Sequence, residues 1–161
     1  MLKVNIICVG KLKEAYWRDA VAEYSKRLGG YCSFSVEELA ESRLPDQPSE
    51  GQISAALEKE AAAMEKYLSA KSALNIAMCI EGKTLSSEQL SEKISRSAVE
   101  GVSTVNFYIG SSFGLSESVK RRCQLRLSMS PMTFPHQLAR VMLCEQIYRA
   151  FSIAAGSRYH K

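Results

Sequence analysis

The stretch Val102-Ser-Thr-Val-Asn-Phe-Tyr-Ile109, Gly110-Ser-Ser-Phe-Gly-Leu115, Ser116-Glu-Ser-Val-Lys-Arg-Arg122, then Leu125-Arg-Leu-Ser-Met129, decides the fold. A mostly apolar run of strand length ends at a glycine. A short helical segment follows, and a second short run comes after it. A strand that is apolar on both of its faces belongs in a parallel sheet covered by helices on each side.

The same alternation extends outward in both directions. Leu2–Val9 reads as a buried strand ending at Gly10, and Glu14–Leu28 as a helix with Trp17, Ala20, Val21, Tyr24 and Leu28 on one stripe, stopped by Gly29-Gly30. Cys32–Leu39 alternates apolar and polar residues, as a half-buried strand does. Ser42–Gly51, with two prolines, reads as a loop, and Gln52–Leu68 as a helix with apolar residues at three-to-four spacing. Leu74–Ile80 is a buried strand leading into Glu81-Gly82-Lys83, and Ser86 with Gln89 has the spacing of a capping box at the next helix. Pro135–Ala155 is a long final helix, with Thr133 as its expected cap and Gly156 as its stop. The expected fold is α/β, one domain over residues 1–161, built on a mostly parallel sheet. Ligands of such sheets bind outside the carboxyl ends of the strands. Met78–Gly82, Gly110–Leu115 and Met129–Phe134 are the strand ends with unusual residues.

Composition narrows the function classes. No apolar run approaches the ~20 residues of a membrane span, and the apolar start is too short for a signal peptide. The expected location is cytoplasmic, with no membrane partner. The five cysteines (Cys8, Cys32, Cys79, Cys123 and Cys144) are scattered and form no Cys-x-x-Cys pair, so reduced, buried thiols are expected. With only His136 and His160 beside them, no metal-ligand spacing appears and no metal is expected. Net charge is +4, unevenly spread. From Lys120 onward, eight basic residues face one acidic residue, Glu145, whereas Glu37–Glu100 holds twelve acidic and seven basic residues. That asymmetry suggests a polyanion-facing side.

The chemistry-bearing segments are individually weak signals. Gly110-Ser-Ser-Phe-Gly-Leu115 is neither a dinucleotide fingerprint nor a phosphate loop. Gly110 there suits close approach of a ligand to the backbone. His136 falls in the first turn of the last helix, where a lone histidine is usually structural. Glu145 and Arg149 have the spacing of an ion pair within that helix. The helix is apolar nearly all round, which calls for a core face and a partner face. The chain closes on Tyr159-His160-Lys161, groups able to stack, move a proton and hold a phosphate.

Taken together, Gly110-x-x-x-Gly114-Leu115, Leu127-Ser128, Met132-Thr-Phe-Pro-His136, Arg140-Val141, Glu145-Gln-x-Tyr-Arg-Ala150 and Tyr159-His-Lys161 resemble the small SPOUT-class ribosomal RNA methyltransferases of the RlmH (YbeA) family. The likeness runs from Val9-Gly10-Lys11 to the last residue. It implies a parallel-sheet α/β knot, with a deep C-terminal trefoil that periodicity alone does not suggest. It implies S-adenosylmethionine held by Met78, Gly110, Met129, Ser130, Pro131, Met132, Thr133 and Phe134. It further implies a homodimer acting on 23S ribosomal RNA, with methylation of a pseudouridine at N3 on assembled ribosomes. Removing the N3 proton calls for a base. His160 is the best-suited residue, with Tyr159 to stack on the target, Arg140 to stabilise an imide anion or grip phosphate, and Lys161 to hold the RNA backbone. The family usually has glycine where this chain has Ser111, and a positive φ there would strain serine by roughly 1–2 kcal/mol. Two alternatives remain: a methyltransferase of the same class acting on a ribose 2′-hydroxyl or another rRNA or tRNA base, and a ribosome-binding protein without catalysis.

Overall fold

The computed structural model describes residues 1–160. Five strands, β1 (Lys3–Val9), β2 (Ser33–Leu39), β3 (Ala73–Thr84), β4 (Thr104–Ile109) and β5 (Leu125–Ser128), alternate with five helices. The helices are α1 (Ala15–Leu28), α2 (Glu50–Leu68), α3 (Ser87–Val99), α4 (Glu117–Arg122) and α5 (His136–Ala154). The sheet has the order β2-β1-β4-β3-β5, and every pairing is parallel.

Chain direction across the sheet fixes where the helices lie. The steps β1 to β2 and β3 to β4 run one way, while β2 to β3 and β4 to β5 run the other. Right-handed crossovers then put α1 and α3 on one face and α2 and α4 on the opposite face. The contacts agree: α5 packs on α1 and α3, and α2 packs on α4. Side chains of β1 divide accordingly. Val4, Ile6 and Cys8 join the core beneath α1, α3 and α5, and Ile7 and Val9 join the core beneath α2 and α4. Burial on both faces is what makes β1 and β4 read as nearly continuous apolar runs.

One polar line crosses this apolar sheet. Asn5 donates to Asn106 at 2.8 Å, Asn106 donates to Asn75 at 3.1 Å, and the Tyr108 hydroxyl donates to the same Asn75 oxygen at 2.8 Å. These asparagines are cross-strand partners in β1, β4 and β3. A one-residue slip of any strand would leave a buried amide without its partner, so the ladder pins the register.

Local signals account for most element ends. Both Ser49 with Gln52 and Ser86 with Gln89 form complete capping boxes. Gly156 has φ +69, and the Ser157 amide reaches back to the Ser152 carbonyl at 2.9 Å, the six-to-one bond that ends a helix on a left-handed residue. Two expectations need correction. Thr133 does not cap α5; Pro135 occupies that position and offers no side-chain bond, because the helix starts only at His136. The third strand does not stop at Ile80. It continues to Thr84 through a bulge, with Leu127 opposite both Met78 and Lys83. A Cβ on Gly82 would lie 2.7 Å from the Arg126 carbonyl carbon, so only glycine lets the two backbones meet there.

Candidate active site

The bulge in β3 pushes Cys79, Ile80 and Glu81 to the carboxyl end of the sheet, beside the ends of β4 and β5. The connections leaving β3 and β4 go to opposite faces, so a crevice opens between them, the usual place for a ligand in an open α/β sheet. It is a cavity of about 440 Å³, within the ordinary range for small-molecule sites. Its mouth is apolar. Ile80, Phe113, Met132 and Phe134 are 53%, 47%, 73% and 37% exposed, and all four line it. These are four of the seven large exposed hydrophobics among the described residues. Apolar surface gathered at one mouth marks a site that something else covers.

The loop Gly110–Leu115 forms one wall. Its amide at Gly114 donates to the Ser111 carbonyl at 2.8 Å, closing a tight turn. The positive φ of this turn belongs to Gly114, at +80, and not to Ser111, so serine at 111 carries no left-handed strain. Gly110 has a different reason from the expected one. A Cβ there would stand 2.1 Å from the Gly114 carbonyl oxygen, so the residue makes room for its own loop. The opposite wall is the turn after β5. Ser128 donates to the Ser130 carbonyl at 3.0 Å, and the Ser130 hydroxyl accepts from the Met132 amide at 3.0 Å. Glu81 pairs with Lys120 on the rim, and that ammonium holds the Glu81 carboxyl below the usual carboxylate range.

Seven of the eight residues expected to hold a cofactor line this cavity. They are Met78 from β3, Gly110 from the loop after β4, and Met129, Ser130, Met132, Thr133 and Phe134 after β5. Pro131 shares their turn but does not line the cavity wall. Sequence reading missed Ser112 and Phe113, though a lone large aromatic in a Gly/Ser loop was a usable signal. It also set aside His136, which lines the cavity and has a buried Nδ1 without a partner among the described residues. An orphaned polar atom on a cavity wall, beside a glycine-made turn and a methionine-rich mouth, fits a ligand with both polar and apolar parts.

The expected catalytic residues are not brought to this cavity within one chain. Arg140 is 1% exposed. It donates to Glu38 at 2.8 Å and to the Gly10 carbonyl at 3.1 Å, tying α5 to the end of β1. These bonds make the guanidinium a link between helix and strand end, while its buried Nε has no partner among the described residues. The tail lies on α3 and α5 instead. The Tyr159 hydroxyl donates to Glu145 at 3.0 Å, with its ring 4.8 Å from Tyr148 and the Arg149 guanidinium 4.9 Å from its centroid. Burial and the Glu145 carboxylate push the Tyr159 phenol up to about 12. His160 sits 2.6 Å from Glu88 on α3. Lys161 lies outside the described residues.

The expected basic face is largely neutralised. Lys120 pairs with Glu81, Arg122 with Glu65, Arg126 with Glu117, Arg140 with Glu38 and Arg149 with Glu145. Three of these five partners, Glu38, Glu65 and Glu81, come from the acidic middle of the chain. All five cysteines are free, and burial pushes the Cys8, Cys123 and Cys144 thiols up to about 12. No group of His, Cys, Asp and Glu able to hold a metal occurs among the described residues.

Residues 2–160 match the family model described as "Predicted SPOUT methyltransferase". The chain belongs to the SPOUT methyltransferase family. It is 48% identical to the "Ribosomal RNA large subunit methyltransferase H" of Streptococcus equi subsp. zooepidemicus strain MGCS10565, over 99% of this chain and 100% of that one. The Bifidobacterium adolescentis protein of the same name is 48% identical over the same shares. Among solved structures, a methyltransferase from Legionella pneumophila in complex with the bound cofactor SAM superimposes with a TM-score of 0.51 at 15% identity, over 95% of this chain and 66% of that one. At that identity the likeness concerns the fold. No described helix is long and apolar enough to cross a membrane.

Proposed function

We propose that this chain is an S-adenosylmethionine-dependent methyltransferase of 23S ribosomal RNA that methylates N3 of a pseudouridine on assembled ribosomes. The observation that carries the reading is full-length identity of 48% to relatives named for methylation of large-subunit ribosomal RNA. The site agrees with it, because the cavity combines apolar rim residues with polar backbone turns, as an adenosyl-methionine ligand requires. S-adenosylmethionine supplies an electrophilic methyl group and leaves as a neutral thioether. Met78, Gly110, Met129, Ser130, Met132, Thr133 and Phe134 would hold it, with His136 added and Pro131 shaping the turn. The protein's part is alignment and exclusion of water, which carry most of the acceleration in such displacements.

The rest of the site comes from a second copy in this proposal. No described tail residue lines the cavity of its own chain, so Tyr159 and His160 reach the chemistry only across a two-fold contact. Half-buried Leu138, Val141, Met142 and Phe151 on α5 provide apolar surface for such a contact. His160 takes the N3 proton, Tyr159 stacks on the target base, and Lys161 holds the RNA backbone. Arg140 supports α5 from inside the fold. The single domain over residues 1–161 and the C-terminal trefoil knot belong to the same proposal, as does a cytoplasmic location.

Two measurements test it. Purified protein with labelled S-adenosylmethionine should methylate ribosomes from a strain lacking the enzyme, and mass mapping should place the label on one pseudouridine. Label on a ribose or a different base would select another activity of the class, and cofactor binding without transfer would leave a binding protein. Sedimentation at micromolar concentration should show a dimer; a monomer there would remove the composite site.

A further inference from the structure

The tail is held by a chain of charged groups that crosses from α5 to α3. Glu145 accepts from Arg149 at 2.6 Å and from Tyr159 at 3.0 Å. The other arm of Arg149 points at Nδ1 of His160, 3.4 Å away. On the far side of the ring, Nε2 of His160 lies 2.6 Å from a Glu88 carboxylate oxygen. A guanidinium only donates and a carboxylate only accepts. The neutral ring between them therefore carries its hydrogen on Nε2, and Nδ1 keeps the lone pair. Arg149 holds that nitrogen loosely, at the long end of hydrogen-bond range.

We infer that Glu88 is the positioning residue for His160: it fixes the Nε2–H tautomer and leaves Nδ1 as the nitrogen that takes the N3 proton of the target base. The inference rests on the proposed RNA-methylating role of the tail. The step balances. The N3–H bond breaks and its proton forms a bond to Nδ1. The freed N3 electron pair forms the N–CH3 bond, and the S–CH3 pair stays with sulfur as the neutral thioether. The imidazolium so formed faces the Glu88 carboxylate and later passes its proton to water. Of the groups facing His160, Glu88 on α3 stabilises the imidazolium and Arg149 on α5 opposes it. Glu145, also on α5, pairs with Arg149. Glu88 sits in the first turn of α3, where the helix favours its ionised form. Its own backbone amide and His160 hold it below the usual carboxylate range. The side chains of His160 and Glu88 are 30% and 59% exposed, open to a second molecule rather than sealed in the core.

Removing the acceptor behind Nε2 frees the ring and its tautomer, so it should lower the saturated rate and leave KM for ribosomes unchanged. The experiment measures the saturated rate and KM of methyl transfer to ribosomes for the wild type, Glu88→Ala, Glu88→Gln and His160→Ala. S-adenosylmethionine binding by calorimetry and a thermal melt check that each variant is intact. Glu88→Ala should lower the saturated rate several-fold, with unchanged KM and cofactor affinity. Glu88→Gln, which keeps an oxygen able to accept from Nε2–H, should recover most of that rate. A Glu88→Ala rate equal to that of the wild type, while His160→Ala has lost transfer, makes Glu88 a mere neighbour and overturns the inference alone. Full transfer by His160→Ala removes the tail from the chemistry and overturns both.

Discussion

Removing Tyr159, His160 and Lys161 is expected to leave S-adenosylmethionine binding nearly unchanged and to lower methyl transfer to ribosomes about a hundredfold or more, the scale of lost acid–base help. The two effects separate because the described tail and the cavity share no wall. The tail leans on Glu145, Arg149, Tyr148 and Glu88, and the Glu145–Arg149 pair survives without it as a bond within one helix. Gly156 already ends α5, so truncation after Arg158 takes away no helical turn. Calorimetry gives the first quantity and single-turnover transfer to ribosomes the second. A truncated protein with full transfer would show that Tyr159 and His160 only pack against α5. Loss of cofactor affinity in the same protein would mean that the tail helps to build the cavity rather than to run the chemistry.

The order of elements was legible from the sequence because it rests on local signals. Apolar runs of strand length, helical stripes, the Ser86 and Gln89 box and the glycine at 156 each act within a few residues. The path of β3 beyond Ile80 was not legible. Cys79-Ile-Glu-Gly-Lys-Thr84 reads as a turn, and only pairing with β5 across the bulge makes it strand. Charge misled for the same reason. Arg140 and Glu38 are 102 residues apart, Arg122 and Glu65 are 57 apart, and Lys120 and Glu81 are 39 apart. Counting charge along the chain could not reveal that these groups neutralise one another. The cavity walls were found because ligand sites of parallel sheets occur at strand ends. The tail's place on α3 was out of reach, since nothing near His160 in sequence names Glu88 as its partner.

Gly110→Ala is expected to abolish S-adenosylmethionine binding and to destabilise the protein by about 3 kcal/mol, near the upper end for overpacking. Close approach of a ligand to the backbone, the reading that sequence alone suggests for Gly110, predicts a milder result. In that case alanine would only crowd the ligand, and the free protein would keep its stability. The structure puts the obstruction inside the protein. A methyl group at 110 meets the Gly114 carbonyl oxygen at 2.1 Å, its carbon at 2.2 Å and the Leu115 amide nitrogen at 2.7 Å. These are backbone atoms, which cannot rotate aside as a side chain would. The loop must open, and with it goes the wall formed by Ser111, Ser112 and Phe113. Gly114→Ala is the informative companion. Its φ is +80 but no atom lies within 4 Å of the added carbon, so it should cost only the roughly 1–2 kcal/mol of left-handed strain. Calorimetry and thermal denaturation of both variants decide the matter. A stable Gly110→Ala protein that has lost only its ligand would return the residue to the cofactor's side of the wall. A joint loss of stability and affinity, absent from Gly114→Ala, means that the glycine builds the loop first and serves the cofactor through it.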